Sequence, residues 1–445
     1  MTNKRFWQTG WFPGLFISIL FFLMGWTGFI STLEWQAYGL GARLSPAPET
    51  KNNLEVIAID EASLKQLGEW PWPRSYLGVV IKQLDKHGAR TVGLALPLHT
   101  PQSEFGVKRL DSMRDTYDGK YEKTVKEILF LARQRLDTDG ALAASLKRFR
   151  QPVLAISYGL NNDVQRGSAA ASQQTLESYA FSDFPAESTD WSRLVPSVLT
   201  NGIPEITQAQ APIPLLAKYS AAGMLDESAT GKRSSLVTPL VLKFGDQHYP
   251  SFSLMFAAAS LKVKTDDIII NPVQDITLGG IQLYTDPSYR AYPHIYDSTD
   301  NKPAFKVHSF HEIYSEKVSS ARFKGKDVLI GITAPSLMDH VTIPGGETMA
   351  PIMISAHLIN NLLHSDMYKV PGWALPAQLS ALFIVALYLA FILPRFRFWT
   401  GFVTSLMLLF IMVNTVSYTH LRAHETMTGI SYAVFCLKTG GGGGG

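Results

Sequence analysis

Two long stretches of this chain carry no charge at all, and they dictate what can lie between them. Residues 6–33 and 370–393 contain no Asp, Glu, Lys or Arg. Each exceeds the roughly 20 residues that a helix needs to cross a bilayer core. Backbone amides in hydrocarbon must bond within their own segment, so both stretches are predicted as transmembrane helices, at 13–33 and 372–393. A cleaved signal peptide has an apolar region of only about 7–15 residues, so the first run reads as an anchor. Lys4 and Arg5 precede the first run, and Arg395 and Arg397 follow the second. By the positive-inside rule both of these flanks face the cytoplasm. Residues 1–12 are then a cytoplasmic N-terminus, and residues 45–368 lie outside the cytoplasmic membrane, in periplasmic or extracellular space. A third apolar run, 398–415, is predicted as a further crossing.

Composition agrees with lipid as one partner. Apolar residues make up 46% of the chain and charged residues 17%, below the roughly 25% of ordinary soluble domains. A net charge of +3, with Lys and Arg dispersed, argues against nucleic acid as a partner. The single cysteine, Cys436, excludes an intrachain disulfide. It lies in 416–445, where VSYTHLRAHET, ISYAVFCLK and a glycine run resemble a translated sequencing adapter. That segment is expected to be non-native, with the native reading frame continuing beyond Thr415 into an output domain.

Between the apolar runs the pattern is that of an α/β fold. Residues 54–60 (LEVIAID), 91–96 (TVGLAL), 153–158 (VLAISY) and 327–333 (DVLIGIT) are short, apolar and bounded by turn or charged residues, as buried strands are. Leu77, Val80, Ile81 and Leu84 recur at helical spacing between the first two, with Pro73 in a favourable first position and Gly88 as the stop. Strand, helix, strand at this spacing is a βαβ unit, which predicts a mixed sheet with parallel strands flanked by helices. Further helices are predicted at 124–136, 140–149 and 352–363, a loop at 161–190, and an antiparallel extension of the sheet within 234–285. No internal repeat and no sustained coiled-coil heptad is visible.

The run VIAIDEASLKQLGEWPWPRSYLGVVIKQLDKHGARTVGLALPL, with FKGKDVLIGITAPSLMDHVTIPGG and ISAHLINNLL far downstream, resembles the CHASE sensory domain of the second class, a bacterial extracytoplasmic module. Its most specific part is the signature from Asp60 to Arg74. The resemblance implies sensory input to an adenylate cyclase, histidine kinase, diguanylate cyclase or protein kinase beyond about three membrane helices. It also implies a homodimer, because such outputs act as pairs. The chain departs from the family at Leu94-Ala95-Leu96, where an acidic residue is usual, and at Ile352, where a glycine is usual.

In an open parallel sheet the ligand crevice lies beyond the carboxyl ends of the strands. That rule selects Asp60, Glu61, Pro97, His99 and Thr333, with Asp339 and His340 on the following loop; Trp70, Trp72 and Arg74 of the signature turn join them as candidate ligand contacts. A purely structural alternative stands beside this. Asp60 would cap a helix at 62–67 and pair with Arg74, while Trp70 and Trp72 would pack on a neighbouring helix. His308 and His311 are spaced for one helix face, and His357 and His364 lie two turns apart, but no carboxylate or thiolate completes either set, so no metal is expected. Gly231-Lys232 is followed by Arg233 rather than Ser or Thr, which fails the phosphate-loop pattern. There is no G-x-S-x-G elbow and no catalytic constellation, so no cofactor and no enzyme activity is expected of the visible chain. An unknown extracytoplasmic ligand is the expected partner. Two other classes stay open, an envelope scaffold or adhesion protein without output, and an extracytoplasmic hydrolase.

Overall fold

The computed structural model describes residues 53–119, 121–159, 174–185, 203–226, 237–271, 275–286, 288–296, 304–317, 320–343 and 347–367, with separate positions between 380 and 407. The chain divides into two compact units. The larger, Pro48–Thr342 with Thr348–Met367, holds the α/β fold.

Strand β1 (Leu54–Ile59) opens it, followed by α1 (Glu61–Leu67), α2 (Arg74–Lys86) and β2 (Thr91–Ala95). Next come α3 (Glu104–Thr116), α4 (Glu122–Leu136), α5 (Thr138–Arg148), β3 (Pro152–Gly159), β4 (Gln208–Gln210), α6 (Pro214–Ala217) and β5 (Ala221–Asp226). Strands β6 (Thr238–Pro239), β7 (Val241–Phe244) and β8 (Gln247–Pro250) precede α7 (Phe252–Leu261), and β9 (Ile269–Asn271), β10 (Asp275–Leu278), β11 (Ile281–Tyr284) and β12 (Arg290–Ala291) follow it. The fold closes with β13 (Lys306–Ser309), α8 (Phe310–Tyr314), β14 (Asp327–Ile332), β15 (Val341–Thr342), β16 (Thr348–Met349) and α9 (Pro351–His364).

Strands β13, β1, β14, β2, β3 and β5 are parallel neighbours in that order, and β4 runs antiparallel beside the end of β3. Alternation along the strands divides the core in two. Ile57, Ile59, Val328 and Ile330 face the layer built by Leu77, Val80 and Ile81 of α2, Leu142 of α5 and Phe310 of α8. Val56, Leu329 and Val153 face Phe252 and Phe256 of α7 and Ile352, Ala356 and Ile359 of α9. Helix α7 is buried from Phe252 to Ser260, which is why it is apolar all round.

The second layer sits so close to the sheet that three strands carry glycine beneath it. A Cβ on Gly331 would lie 2.6 Å from Cγ1 of Ile352, so the bulk of Ile352 fills the space that Gly331 leaves. A Cβ on Gly223 would lie 2.5 Å from the carbonyl oxygen of Ser251 and 2.7 Å from the amide of Phe252, and a backbone cannot withdraw as a side chain can. Gly223→Ala is therefore expected to cost about 1–3 kcal/mol by overpacking, and Gly331→Ala less. Denaturant unfolding of the two variants checks the order.

Several sequence expectations are corrected. Helix α2 begins at Arg74, with Pro73 as the extended residue before it rather than its first turn, while Gly88 takes the left-handed stop at φ +75°. The 234–285 region does not extend the main sheet. It forms three small antiparallel sheets, β7 with β8, β10 between β9 and β11, and β6 with β12, with the helix α7 inserted among them. His308 lies on a strand and His311 on a helix, so they do not share a helix face. The expected loop at 161–190 is described only from 174 to 185, and includes one helical turn at 174–177.

The second unit comprises Met1–Ala47, Ile343–Glu347 and Tyr368–Gly445. The predicted segments 1–12, 13–33 and 416–445 lie outside the described residues. Of 372–393 and 398–415 only separate positions are described, including a π-helical turn at Tyr388–Ile392. Among the described residues no helix is long and apolar enough to cross a membrane.

Candidate functional site

The carboxyl ends of β1 and β13 are joined by a cluster of hydroxyls around one carboxylate. Asp60 leaves β1 in extended conformation and caps α1, where its Oδ1 accepts from the Ser63 amide at 2.8 Å. The same oxygen accepts from Ser309 Oγ at 2.7 Å. Ser309 lies at the end of β13, in register with Ala58 of β1. Its Oγ is also 2.9 Å from Ser63 Oγ and 2.7 Å from His311 Nδ1, and the His311 amide donates to Ser63 Oγ at 3.1 Å. A hydroxyl has one proton; with that of Ser309 given to Asp60, Ser63 and His311 must donate to its oxygen.

In a serine hydrolase the serine hydroxyl donates to the imidazole, whereas here the Ser309 hydroxyl donates to the Asp60 carboxylate. The cluster thus presents a hydrogen-bonded polar surface at the ends of β1 and β13. Burial on its own would raise the Asp60 pKa, but the bonds from Ser63 and Ser309 outweigh it and hold the carboxyl below the usual range. Asp60 is therefore a carboxylate at neutral pH.

The exit of β14 is tied to the same place. Thr333 and Ala334 both donate their amides to the Ile59 carbonyl at 3.0 Å. Glu61 accepts from the Ser336 amide at 3.0 Å, and His340 Nε2 lies 3.1 Å from the Thr333 carbonyl. Asp339 is exposed on that loop. The structure therefore gathers Asp60, Glu61, Thr333, Asp339 and His340 around the carboxyl ends of β1 and β14.

The signature turn is a second group. Trp70-Pro71 is a cis peptide. Trp72 is buried, donates its indole N–H to the Gly68 carbonyl at 2.8 Å, and packs on Phe310 of α8 at 5.1 Å between ring centroids. Trp70 meets Trp72 edge-on at 5.3 Å. Arg74 does not pair with Asp60, contrary to the sequence expectation. Its Nη1 donates to Asp139 Oδ1 at 2.5 Å and its Nη2 to the Thr100 carbonyl at 2.6 Å, both side chains being buried. Asp139 Oδ2 accepts from the amides of Gln102 at 2.8 Å and Ser103 at 3.1 Å. Gln102 closes the clamp by accepting from the Arg74 amide at 2.8 Å and donating to the Trp72 carbonyl at 2.9 Å. Arg74 is thereby engaged within the fold. His99 sits half-buried beyond β2 with an unpartnered buried Nδ1, and burial, then the Arg74 charge, push its pKa down. Pro97 is exposed on the same segment.

Ser63 belongs to the signature but was not singled out as a site residue, and sequence reasoning missed Ser309, Gln102 and Asp139, which lie in different segments and match no motif. It also missed the buried contact between Glu55 and His308 Nε2, 2.8 Å apart across β1 and β13. Among the described residues no group of three or more His, Cys, Asp or Glu is placed to hold a metal ion.

Comparison with known proteins gives one result for the whole of this region. The family model described as CHASE2 domain matches residues 16–393. No curated protein and no solved structure matches the chain.

Proposed function

The chain belongs to the CHASE2 family of sensory domains, and from that premise we propose that it is the extracytoplasmic input module of a bacterial transmembrane signalling receptor. Its cytoplasmic output domain, a cyclase or kinase, would follow Thr415. The bilayer, an extracytoplasmic ligand and a second copy of the chain are its partners in this reading.

One observation carries the proposal. The strands that bear the candidate surface, β1 and β14, also support α9, through Ile352 over Gly331 two residues before Thr333. Helix α9 ends at His364, six residues before the second uncharged run begins at Val370. A ligand that prefers one packing of the β14 exit then biases the helix that leads to the bilayer. The coupling available is the ligand's differential affinity for two states, commonly about 1–3 kcal/mol. The surface itself, with carboxylates at Asp60, Glu61 and Asp339 among serine hydroxyls and imidazoles, suits a small polar or cationic ligand. Apolar side chains left exposed in the second and third runs, Phe383 at 64% and Met407 at 63% among them, suit lipid as their neighbour.

Fusing residues 1–415 to a cytoplasmic adenylate cyclase catalytic domain makes the coupling measurable. Cyclase output is expected to change several-fold on Asp60→Asn and on Ile352→Ala. Output that ignores both substitutions, in fusions of equal abundance, would count against the proposal.

A further inference from the structure

Helices α3 and α4 form an antiparallel hairpin between β2 and α5 that has no core of its own. No described residue of either helix is buried, and the two pack chiefly on one another. Helices of 13 and 15 residues are marginal in water without a packed face. Yet Phe105 is 82% exposed, Tyr121 65%, Ile128 59% and Leu131 52%. Between the helices an apolar groove of about 420 Å³ is lined by Met113, Thr116, Tyr117, Val125 and Leu129.

The exposed residues are ordered. Tyr121, Thr124, Ile128, Leu131 and Arg135 follow one another at spacings of three, four, three and four, the period of a coiled-coil seam, and every one of them is exposed. Two heptads are too few for periodicity alone to report a coiled coil. The structure supplies what the sequence lacks, since α3 packs on the flank of α4 that carries Val125, Leu129 and Arg133, whose Nε donates to Asp111 at 2.9 Å, and leaves the seam exposed.

We propose that this seam pairs two copies of the chain, α4 lying antiparallel on α4 of the second copy about a two-fold axis between Ile128 and Leu131. Charge selects that arrangement. Glu127 borders the seam and Arg135 closes its end, both exposed. With Ile128 opposite Leu131 of the second copy, Glu127 comes within one turn of the other chain's Arg135, and symmetry makes the ion pair twice. A parallel seam would stack like charges instead. Mixed signs beside the seam also disfavour an anionic lipid surface as the occupant. Stacking two such seams removes on the order of 1,000 Å² of accessible surface, the threshold of a specific interface. The inference rests on the receptor reading only in that paired outputs need a contact between chains.

The test uses the full chain in membranes, with Cys436→Ser as background. Two differently tagged copies are co-expressed, one carrying Ile128→Cys and the other Leu131→Cys, and oxidised mildly. The mixed pair is expected to form a covalent dimer at least several-fold more efficiently than Ile128→Cys with itself or a Lys264→Cys control. Higher yield from Ile128→Cys alone, or yield no better than the control, overturns the arrangement. In detergent, Ile128→Glu with Leu131→Glu is expected to halve the mass seen by light scattering while leaving the melting temperature unchanged. Retained dimer mass, or loss of vesicle binding with no change in mass, also overturns it. A correctly inserted chain that is monomeric would remove the seam and leave the sensory reading standing.

Discussion

Replacing Asp139 by alanine is expected to lower the stability of the α/β domain by about 3–5 kcal/mol, the cost of stranding one member of a buried ion pair. The partner left behind is Arg74, whose side chain is 7% exposed. It would keep the Thr100 carbonyl but lose its counter-ion, and the amides of Gln102 and Ser103 would lose their acceptor together. Arg74→Ala should cost less, because a neutral alanine leaves the carboxylate with those two amide donors. Replacing both by apolar residues, Arg74→Met with Asp139→Leu, is expected to recover much of the loss. Chemical denaturation of these proteins, with the Arg74→Ala, Asp139→Ala double variant added, closes the cycle. Near-additive losses would show that the pair does not act as a unit.

The second large effect is acid sensitivity. His357 is 2% exposed in α9, its Nδ1 accepts from the Tyr296 amide at 3.2 Å, and its ring lies against Tyr296 and Phe305. Burial pushes its pKa down to about 3. A folded-state pKa below the unfolded value of about 6.5 gives stability that is fully present above pH 6.5 and lost as the pH falls towards 3. Over the window from pH 6.5 to 4 this one imidazole is expected to remove about 3 kcal/mol, at 1.36 kcal/mol per pH unit. His357→Asn keeps an acceptor for Tyr296 but cannot titrate. Its unfolding free energy should be lower at pH 7 yet nearly flat over that window, relative to the parent. An equal slope in both proteins would assign the acid sensitivity elsewhere. Since α9 adjoins the second uncharged run, acid should loosen the element that the coupling proposal relies on.

The strands and main helices of the domain were legible because each rests on a local pattern. The run LEVIAID has to be a buried strand, and the Leu77, Val80, Ile81, Leu84 stripe has to face a sheet. The insertion of β14 between β1 and β2 was not legible, since the strand lies more than 200 residues downstream in sequence and pairing leaves no local trace. Nor was the partner of Arg74. Asp60 is the nearer carboxylate in sequence, but it is consumed as a helix cap by Ser63 and by the neighbouring strand's Ser309. Asp139 reaches Arg74 because the α3–α4 hairpin folds out of the way and returns the chain to the same end of the sheet. The reading of 234–285 as sheet failed for a related reason. β-rich runs flank FSLMFAAASL, which shows no alternation and is helical.

The proposed signalling requires the α/β domain to lie across the membrane from the two arginines that follow the second uncharged run. Cysteine accessibility measures this directly in whole cells, on a chain whose Cys436 is replaced by serine. A membrane-impermeant maleimide is expected to label Ser168→Cys in intact cells, and to label Arg395→Cys only after the membrane is opened. Labelling of Arg395→Cys from outside, with Ser168→Cys protected until lysis, would contradict the account.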